Sequence, residues 1–437
     1  MKSFFEGKPT RKIRQRAVAV GVYQKAEEVR PDIDLLDEIV SLCRTAGARV
    51  VGRIIQHVDR FSATTMIGSG KVEELARLAE DTSANLVVFD VRLSPSQQMN
   101  LEKSLGIQVI DRPGLILDIF AIHARSREAQ VQVELAQLEY LLPMLAGGWT
   151  HLERQEGAIG TRGPGETQLE TDRRLVRKRI RDLKSKLKAI ESERRTQRKA
   201  RDDQFKVCLV GYTNAGKSTV FNRLSRENVV AEDYLFATLD STTRRIRISG
   251  RNEILLSDTV GFIKRLPVSL IASFKSTLME ASGADLLLHV IDIRDPDFED
   301  KIITVNEILH DIECGHIPAI QVFNKTDLRN DPDLFRSLLG RYPGSRFISA
   351  ATGEGMDKLV RSLEAMIEDS KATVIASIDP GRRDQINLIG SLGHLLDSAA
   401  DDGVLKVKVK LPRVYLGKLR REGISFVQTD GVHGTGE

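Results

Sequence analysis

A chain of 437 residues exceeds what one hydrophobic core ordinarily holds and points to two to four domains. With 41% hydrophobic and 29% charged residues it reads as a soluble globular protein, and no apolar run of about eighteen residues stands ready to cross a membrane. The net charge of +4 hides an uneven distribution: from Thr171 to Lys206, fifteen Lys and Arg stand against six Asp and Glu, so the rest of the chain is slightly acidic. Such a basic block is a candidate electrostatic footprint for nucleic acid.

Met1-Lys2-Ser3-Phe4-Phe5-Glu6 turns polar too early for a secretory signal. From Arg16 to Ala124 strands and helices alternate. Ala17–Val22 and Ala48–Ile55 read as strands, with helical spacing from Leu35 to Thr45 between them. Helices are expected over Val72–Ala84 and Ser94–Leu105, the second opened by Ser94-Pro95, and strands over Asn85–Asp90 and Ile107–Asp111. This order predicts a βαβ-type domain with a largely parallel sheet. Gly68-Ser69-Gly70-Lys71 lacks the spacing of a phosphate loop and the hydroxyl residue after its lysine, so a helix-opening turn is the better reading. Asp90 and Asp111, at strand ends, read as solvated caps. Cys43, Cys208 and Cys314 are too scattered for a disulfide frame or a zinc site, and the histidines show no metal-ligand spacing. A reducing cytoplasm is the expected location.

Glu128 to Leu142 is a long amphipathic helix that Pro143 should end or kink. A glycine-rich loop follows, and Gln168 to Lys206 forms a second, charged helix with an apolar seam at Leu175, Ile180, Leu183, Leu187 and Ile190. A helical hairpin with the loop at its tip fits this pattern. Its basic face can be a solvated spacer or a contact to a phosphate backbone, which a loop this rich in glycine can approach closely.

The next segment carries the chemistry. Gly211-Tyr212-Thr213-Asn214-Ala215-Gly216-Lys217-Ser218 matches the P-loop pattern, after a buried-strand run at Val207–Val210 and before a helix opening at Thr219. Curled backbone N–H groups and a helix N-terminus favour a phosphate, Lys217 can reach the β- and γ-phosphates, and Ser218 can bind Mg²⁺. Asp258-Thr259-Val260-Gly261 follows another short strand. There an Asp can hold a Mg²⁺-bound water and Gly261 can offer its N–H to the γ-phosphate. Asn324-Lys325-Thr326-Asp327 sits at the end of the strand Pro318–Phe323. Asp327 can accept from guanine N1–H and the 2-amino group, a donor pair that adenine lacks, and so would select GTP. Asn324 and Lys325 would brace the pocket, and Ser349-Ala350-Ala351 could back the base through main-chain groups.

This series of motifs resembles a translation-factor-class GTPase domain. Phe236-Ala237-Thr238-Leu239-Asp240 is similar to the switch I sequence of the Obg–HflX superfamily, and Gly157 to Glu170 (GAIGTRGPGETQLE) resembles the signature of HflX proteins. The resemblance implies that Thr238 closes over Mg²⁺ and the γ-phosphate. It further implies that Ser218 and Thr238 ligate the metal, that Lys217, Thr238 and Gly261 serve catalysis, and that the helical region meets ribosomal RNA of the large (50S) subunit. The expected architecture is α/β and multidomain: an N-terminal βαβ-type domain (1–124), a helical hairpin with a glycine-rich loop (125–203), a P-loop GTPase domain (204–371) and a small C-terminal α/β domain (372–437).

In that last unit Leu405 to Leu411 alternates apolar and basic residues, which suits an edge strand kept soluble by lysines as well as an RNA or protein contact. Many GTPases place Gln directly after Asp-x-x-Gly; here Phe262 stands there and cannot orient a water, so unaided hydrolysis should be slow. Asn214 can help bind K⁺ beside the phosphates or can cap the loop. The expectation is a monomeric, Mg²⁺-dependent GTP hydrolase that switches on the ribosome and splits or rescues it. An assembly GTPase on immature ribosomal RNA, or a signalling GTPase with protein or membrane partners, are the alternatives.

Overall fold

The computed structural model describes residues 15–24, 35–147, 164–199, 204–226, 235–236, 241–249, 252–264, 280–329, 331–401 and 404–429. The N-terminal unit alternates β1 (Arg16–Gln24), α1 (Asp37–Thr45), β2 (Arg49–Val58), α2 (Ser69–Asp81), β3 (Leu86–Phe89), α3 (Pro95–Leu105), β4 (Gln108–Asp111) and α4 (Arg112–His123). Its strands form a parallel sheet in the order β2-β1-β3-β4. β1 and β3 lie between helix layers and are buried along nearly their whole length, hence their unbroken apolar runs. α3 opens with a reciprocal cap: the Ser94 hydroxyl accepts from Gln97 N, Gln97 Oε1 accepts from Ser94 N, and Pro95 takes the first turn. Gly68 caps α2 and Lys71 pairs with Glu74 at 2.8 Å, so the glycine-lysine stretch is a helix opening.

Two readings of this unit change. α4 follows β4 directly, and eight of its twelve residues are buried, so it has no polar face from which a helical period could be read. Asp111 does cap this helix, accepting from Gly114 N at 2.9 Å, but it is fully buried and not solvated. Asp90 is buried as well and carries an ion pair.

α5 (Arg127–Gly147) and α6 (Pro164–Lys199) form the expected pair. Leu135, Ile180 and Leu183 fill the seam between them, and Arg179–Glu134 and Lys184–Glu139 bridge its rim. α5 continues through Pro143 to Gly147, so the proline does not end it, although Pro143 has no N–H to donate to the carbonyl of Glu139. α6 stops at Lys199, because Phe205 and Lys206 are recruited into a sheet and Lys206 N donates to Asp285. Gly157–Gly163, the core of the glycine-rich motif, lie outside the described residues.

The P-loop unit contains β5 (Phe205–Gly211), α7 (Lys217–Ser225), β6 (Thr242–Ser249), β7 (Asn252–Asp258), β8 (Leu286–Asp292), α8 (Phe298–Asp311), β9 (Ala319–Asn324), α9 (Pro332–Arg341), β10 (Arg346–Phe347) and α10 (Met356–Asp369). Its sheet runs β10-β9-β8-β5-β7-β6, parallel except for β6. The carboxyl ends of β5, β7, β8 and β9 therefore share one rim, where open α/β sheets bind ligands.

The last unit follows as β11 (Lys371–Ile378), α11 (Arg383–Leu392), β12 (His394–Asp401), β13 (Val404–Pro412), α12 (Leu416–Arg421) and β14 (Ser425–Gln428). Its antiparallel sheet has the order β12-β13-β11-β14, a split βαβ arrangement. Val407, Val409 and Leu411 face its core, as the alternation predicts. However, β13 is an interior strand, so its lysines do not guard an edge. Lys406 pairs with Asp401 and Lys410 with Glu368 instead.

The N-terminal and P-loop units share a continuous apolar cluster that includes Phe120 of α4 and Phe236, edge-on with ring centroids 4.7 Å apart. Beside it sits a knot of charge. Arg112, 3% exposed, binds Asp90 and Glu38 and also donates to the carbonyl of Lys264 at 3.1 Å. The Tyr212 hydroxyl donates to Glu38 and accepts from Lys264 N at 2.7 Å. Removing the guanidinium strands two carboxylates, the cost of which is about 3–5 kcal/mol for a buried pair. Arg112→Met should accordingly lower the stability of the N-terminal unit by about that amount in urea unfolding, whereas Arg53→Met, at an exposed pair, should change it by less than about 1 kcal/mol.

Candidate nucleotide site

Gly211 ends β5 with φ +148°, and a Cβ there would stand 2.3 Å from the carbonyl oxygen of Val290 on β8. Gly216 has φ +92°, and a Cβ on it would stand 2.3 Å from Asn324 Nδ2. Both positions thus require glycine on conformational and steric grounds. Between them the chain turns to present Lys217 and Ser218 at the first turn of α7. The Asp258–Phe262 segment is zipped to this loop: Thr213 N donates to Phe262 O, and Phe262 N donates to Gly211 O. Gly261 packs so close that a Cβ would lie 2.9 Å from Lys217 Nζ.

Lys217 is buried, and its Nζ donates to the carbonyls of Gly211 and Tyr212 at 3.2 and 2.9 Å. Burial lowers its pKa to about 8, with Asp258 pulling the other way. The Ser218 hydroxyl donates to Asp258 at 2.7 Å, so a neutral oxygen and a carboxylate converge where the P-loop and β7 end. This hard-oxygen pair suits Mg²⁺, which takes one or two protein ligands and fills its octahedron with water and phosphate oxygens. Among the described residues no group of three or more His, Cys, Asp or Glu could form an all-protein metal cage.

At the end of β9, Asn324 is buried and used on both sides: Nδ2 donates to Ala215 O at 2.9 Å and Oδ1 accepts from Ala350 N at 3.0 Å. Lys325, with φ +67°, reaches Asn214 O at 2.8 Å and Asp292 at 2.7 Å. Thr326 N donates to Ile348 O. Asp327 follows in a short 3₁₀ turn and is exposed, as an edge-on base acceptor must be. Ser349 is fully buried and its hydroxyl accepts from Thr352 N, closing the loop that holds Ala350 and Ala351. Thr259 is also buried, its hydroxyl bonded to Leu209 O at 2.6 Å, and Val260 packs in the core.

Most of the predicted residues therefore converge on one rim. Phe236 does not: its ring is 2% exposed within the interdomain cluster, where an apolar side chain gains more from Phe120 than from phosphates. Ala237, Thr238, Leu239 and Asp240 lie outside the described residues. Phe262 is buried too, so its ring is structural, and the position that elsewhere carries a water-orienting amide faces the core. A cavity of about 200 Å³ adjoins the far side of the loop, walled by Glu38, Tyr212, Asn214, Asp292 and Lys301. Lys217, Asp258 and Asp327 do not line it, so it belongs to the interdomain seam. Sequence reasoning missed Asp292, the anchor of Lys325. Its only signal was an acid at the end of a buried-strand run.

Bound phosphates would raise the pKa of Lys217, so binding must take up a proton wherever the free lysine is neutral. GDP affinity should be level to about pH 8 and then fall by up to about tenfold per pH unit. Titrations between pH 7 and 9 check this, and Lys217→Arg, which stays charged, should show no such fall.

Three family models match the chain in succession: "GTP-binding GTPase N-terminal" over residues 34–121, "GTP-binding GTPase Middle Region" over 123–201, and "50S ribosome-binding GTPase" over 206–325. The GTPase HflX of Magnetococcus marinus is 47% identical over 404 residues, covering 91% of this chain and 92% of that protein. The GTPase HflX of Escherichia coli is 43% identical over 409 residues, covering 92% and 94%. Among solved structures, a GTP-binding protein from Sulfolobus solfataricus in complex with GDP aligns with a TM-score of 0.44 at 24% identity, over 80% of this chain and 98% of that one. The chain belongs to the HflX family of GTPases and is a GTP hydrolase.

Proposed function

We propose that this GTPase is a Mg²⁺-dependent switch that works as a cytoplasmic monomer on the large ribosomal subunit and splits or rescues ribosomes. The observation that carries this reading is the outer face of α6. Arg174, Arg177, Lys178, Arg181, Lys186 and Lys188 are exposed there, while Ile180 and Leu183 turn inward onto α5. A helix that leaves six cations exposed on its outer side, with Asp182 the one acid among them, suits a phosphate backbone. The description of the matched GTPase model, which names the 50S ribosome, points the same way.

Within the site, the P-loop amides and Lys217 hold the β- and γ-phosphates. Ser218 and, by family resemblance, Thr238 would hold Mg²⁺, with Asp258 holding one of its waters; when bound, the ion would neutralise charge that develops on the transferred phosphoryl group. Gly261 N–H senses the γ-phosphate, and Asp327, Asn324 and the Ser349–Ala351 loop read guanine. No amide follows Gly261 to orient water, so the unaided rate is low and a partner accelerates it. Asn214 adopts φ +60°, and its side chain, as the resemblance to P-loop GTPases with this Asn implies, would help hold K⁺ beside the phosphates. An assembly role on immature ribosomal RNA uses the same basic face and is the second reading; the face argues only modestly against a signalling GTPase with protein or membrane partners, since anionic lipid headgroups also attract it.

Co-sedimentation with 70S ribosomes and separated subunits, with GDP or a non-hydrolysable GTP analogue, tests the proposal. Large-subunit binding with loss of 70S in the GTP form is expected. Binding without dissociation favours assembly, and no binding in any nucleotide state refutes the ribosomal reading. Replacing Arg174, Arg177, Lys178 and Arg181 by Gln should flatten the dependence of log affinity on log salt by about 0.7–0.9 per lost phosphate contact and leave the intrinsic GTPase rate unchanged. Hydrolysis should run faster in K⁺ than in Na⁺ at equal ionic strength; equal rates would remove K⁺ from the mechanism.

A further inference from the structure

We infer that Arg223 is a positioning residue for guanine recognition, acting through the main chain of the Ser349–Ala351 loop. This rests on the reading that this loop backs the base. Arg223 lies in α7, six positions after Lys217, where Val220 and Phe221 are buried and Arg223 projects sideways. Its Nε donates to Ala350 O at 3.1 Å and its Nη2 donates to Ala351 O. A Cβ built on Gly353, which has φ +93°, would lie 3.5 Å from the guanidinium carbon, so the planar group runs alongside the loop.

Ala350 is thereby gripped at both ends. Its N–H is bound by Asn324, its carbonyl by Arg223, and both grips are rooted in the phosphate-binding unit: Asn324 through Ala215 O, Arg223 through α7. The loop closes on itself through Ser349 N to Glu354 O and Gly353 N to Ser349 O. It therefore moves as one piece, and Arg223 fixes where that piece sits relative to the P-loop. Guanine presents an acceptor at its 6-oxo group where adenine presents a donor. The N–H groups of Ser349, Ala350 and Thr352 are already committed within the protein, so the donor for the 6-oxo group is Ala351 N–H, and it can distinguish the bases only if its distance to that oxygen is held. The fixed fork of a guanidinium, donating to two successive carbonyls, holds both position and tilt; a single ammonium holds only position.

The test compares GDP with 2-aminopurine riboside diphosphate, which has the same sugar, phosphates and 2-amino group but neither the 6-oxo group nor N1–H. Arg223→Met should weaken GDP binding about tenfold and leave the analogue within twofold, so that discrimination between them falls. Arg223→Lys should recover part of the loss. Equal weakening of both nucleotides, or unchanged GDP binding, overturns the proposal. If the Met variant does not fold, Arg223→Lys and Arg223→Gln carry the same comparison. The underlying base assignment fails separately: Asp327→Asn would then leave the preference for GDP over xanthosine diphosphate unchanged, whatever Arg223 does.

Discussion

The site depends on one buried amide. Asn324 has a donor and an acceptor at the end of a single short side chain, and each is committed to a different loop. The donor holds the P-loop at Ala215 and the acceptor holds the base loop at Ala350. Because the two bonds share one rigid plane, neither loop can shift without straining the other. Gly216 completes the arrangement by absence: only a residue without Cβ lets the amide approach. The phosphate end and the base end of the cleft are thus registered to each other by the fold of β5, β9 and the loop after β10, before any nucleotide contributes.

Charge is arranged on the same principle of prior commitment. Lys217 is buried away from water, which is why its pKa drops although Asp258 lies near and two carbonyls accept from its ammonium. Phosphate oxygens would supply the charge partner that burial denies it. His289 on β8 is pushed down to about 4 by burial and by Lys217, so it is neutral beneath the loop near neutral pH. Lys325, by contrast, is neutralised by Asp292 and serves as a strut under Asn214.

What could be read from the amino-acid order follows from how local each job is. The P-loop, Asp258–Gly261 and Asn324–Asp327 do their chemistry with consecutive residues at strand ends, so their spacing survives in one dimension. Arg223, Arg112 and Glu38 act on residues 127, 152 and 174 positions away, and a lone Arg or Glu carries no pattern that names such a partner. α4 was hidden for a different reason: buried on all faces from Arg112 to Leu117 and exposed only near its end, it shows no amphipathic period. The lysines of β13 alternate as a strand should, but alternation reports the faces of a strand and not its neighbours. Its interior place in the sheet emerged only from pairing with β11 and β12.

The charge knot at Arg112 also has a bearing on the order of assembly. Asp90, Glu38 and Arg112 all belong to the N-terminal unit, whose parallel sheet closes within its own strands. Synthesis delivers that unit to the outside of the ribosome well before the P-loop, and domains fold in turn as they emerge. The ion pairs can therefore form first, leaving Glu38 and one guanidinium edge as a preset socket. Tyr212 and Lys264 then arrive on a surface already shaped to receive them, so the nascent P-loop unit folds against a template and not in free solution.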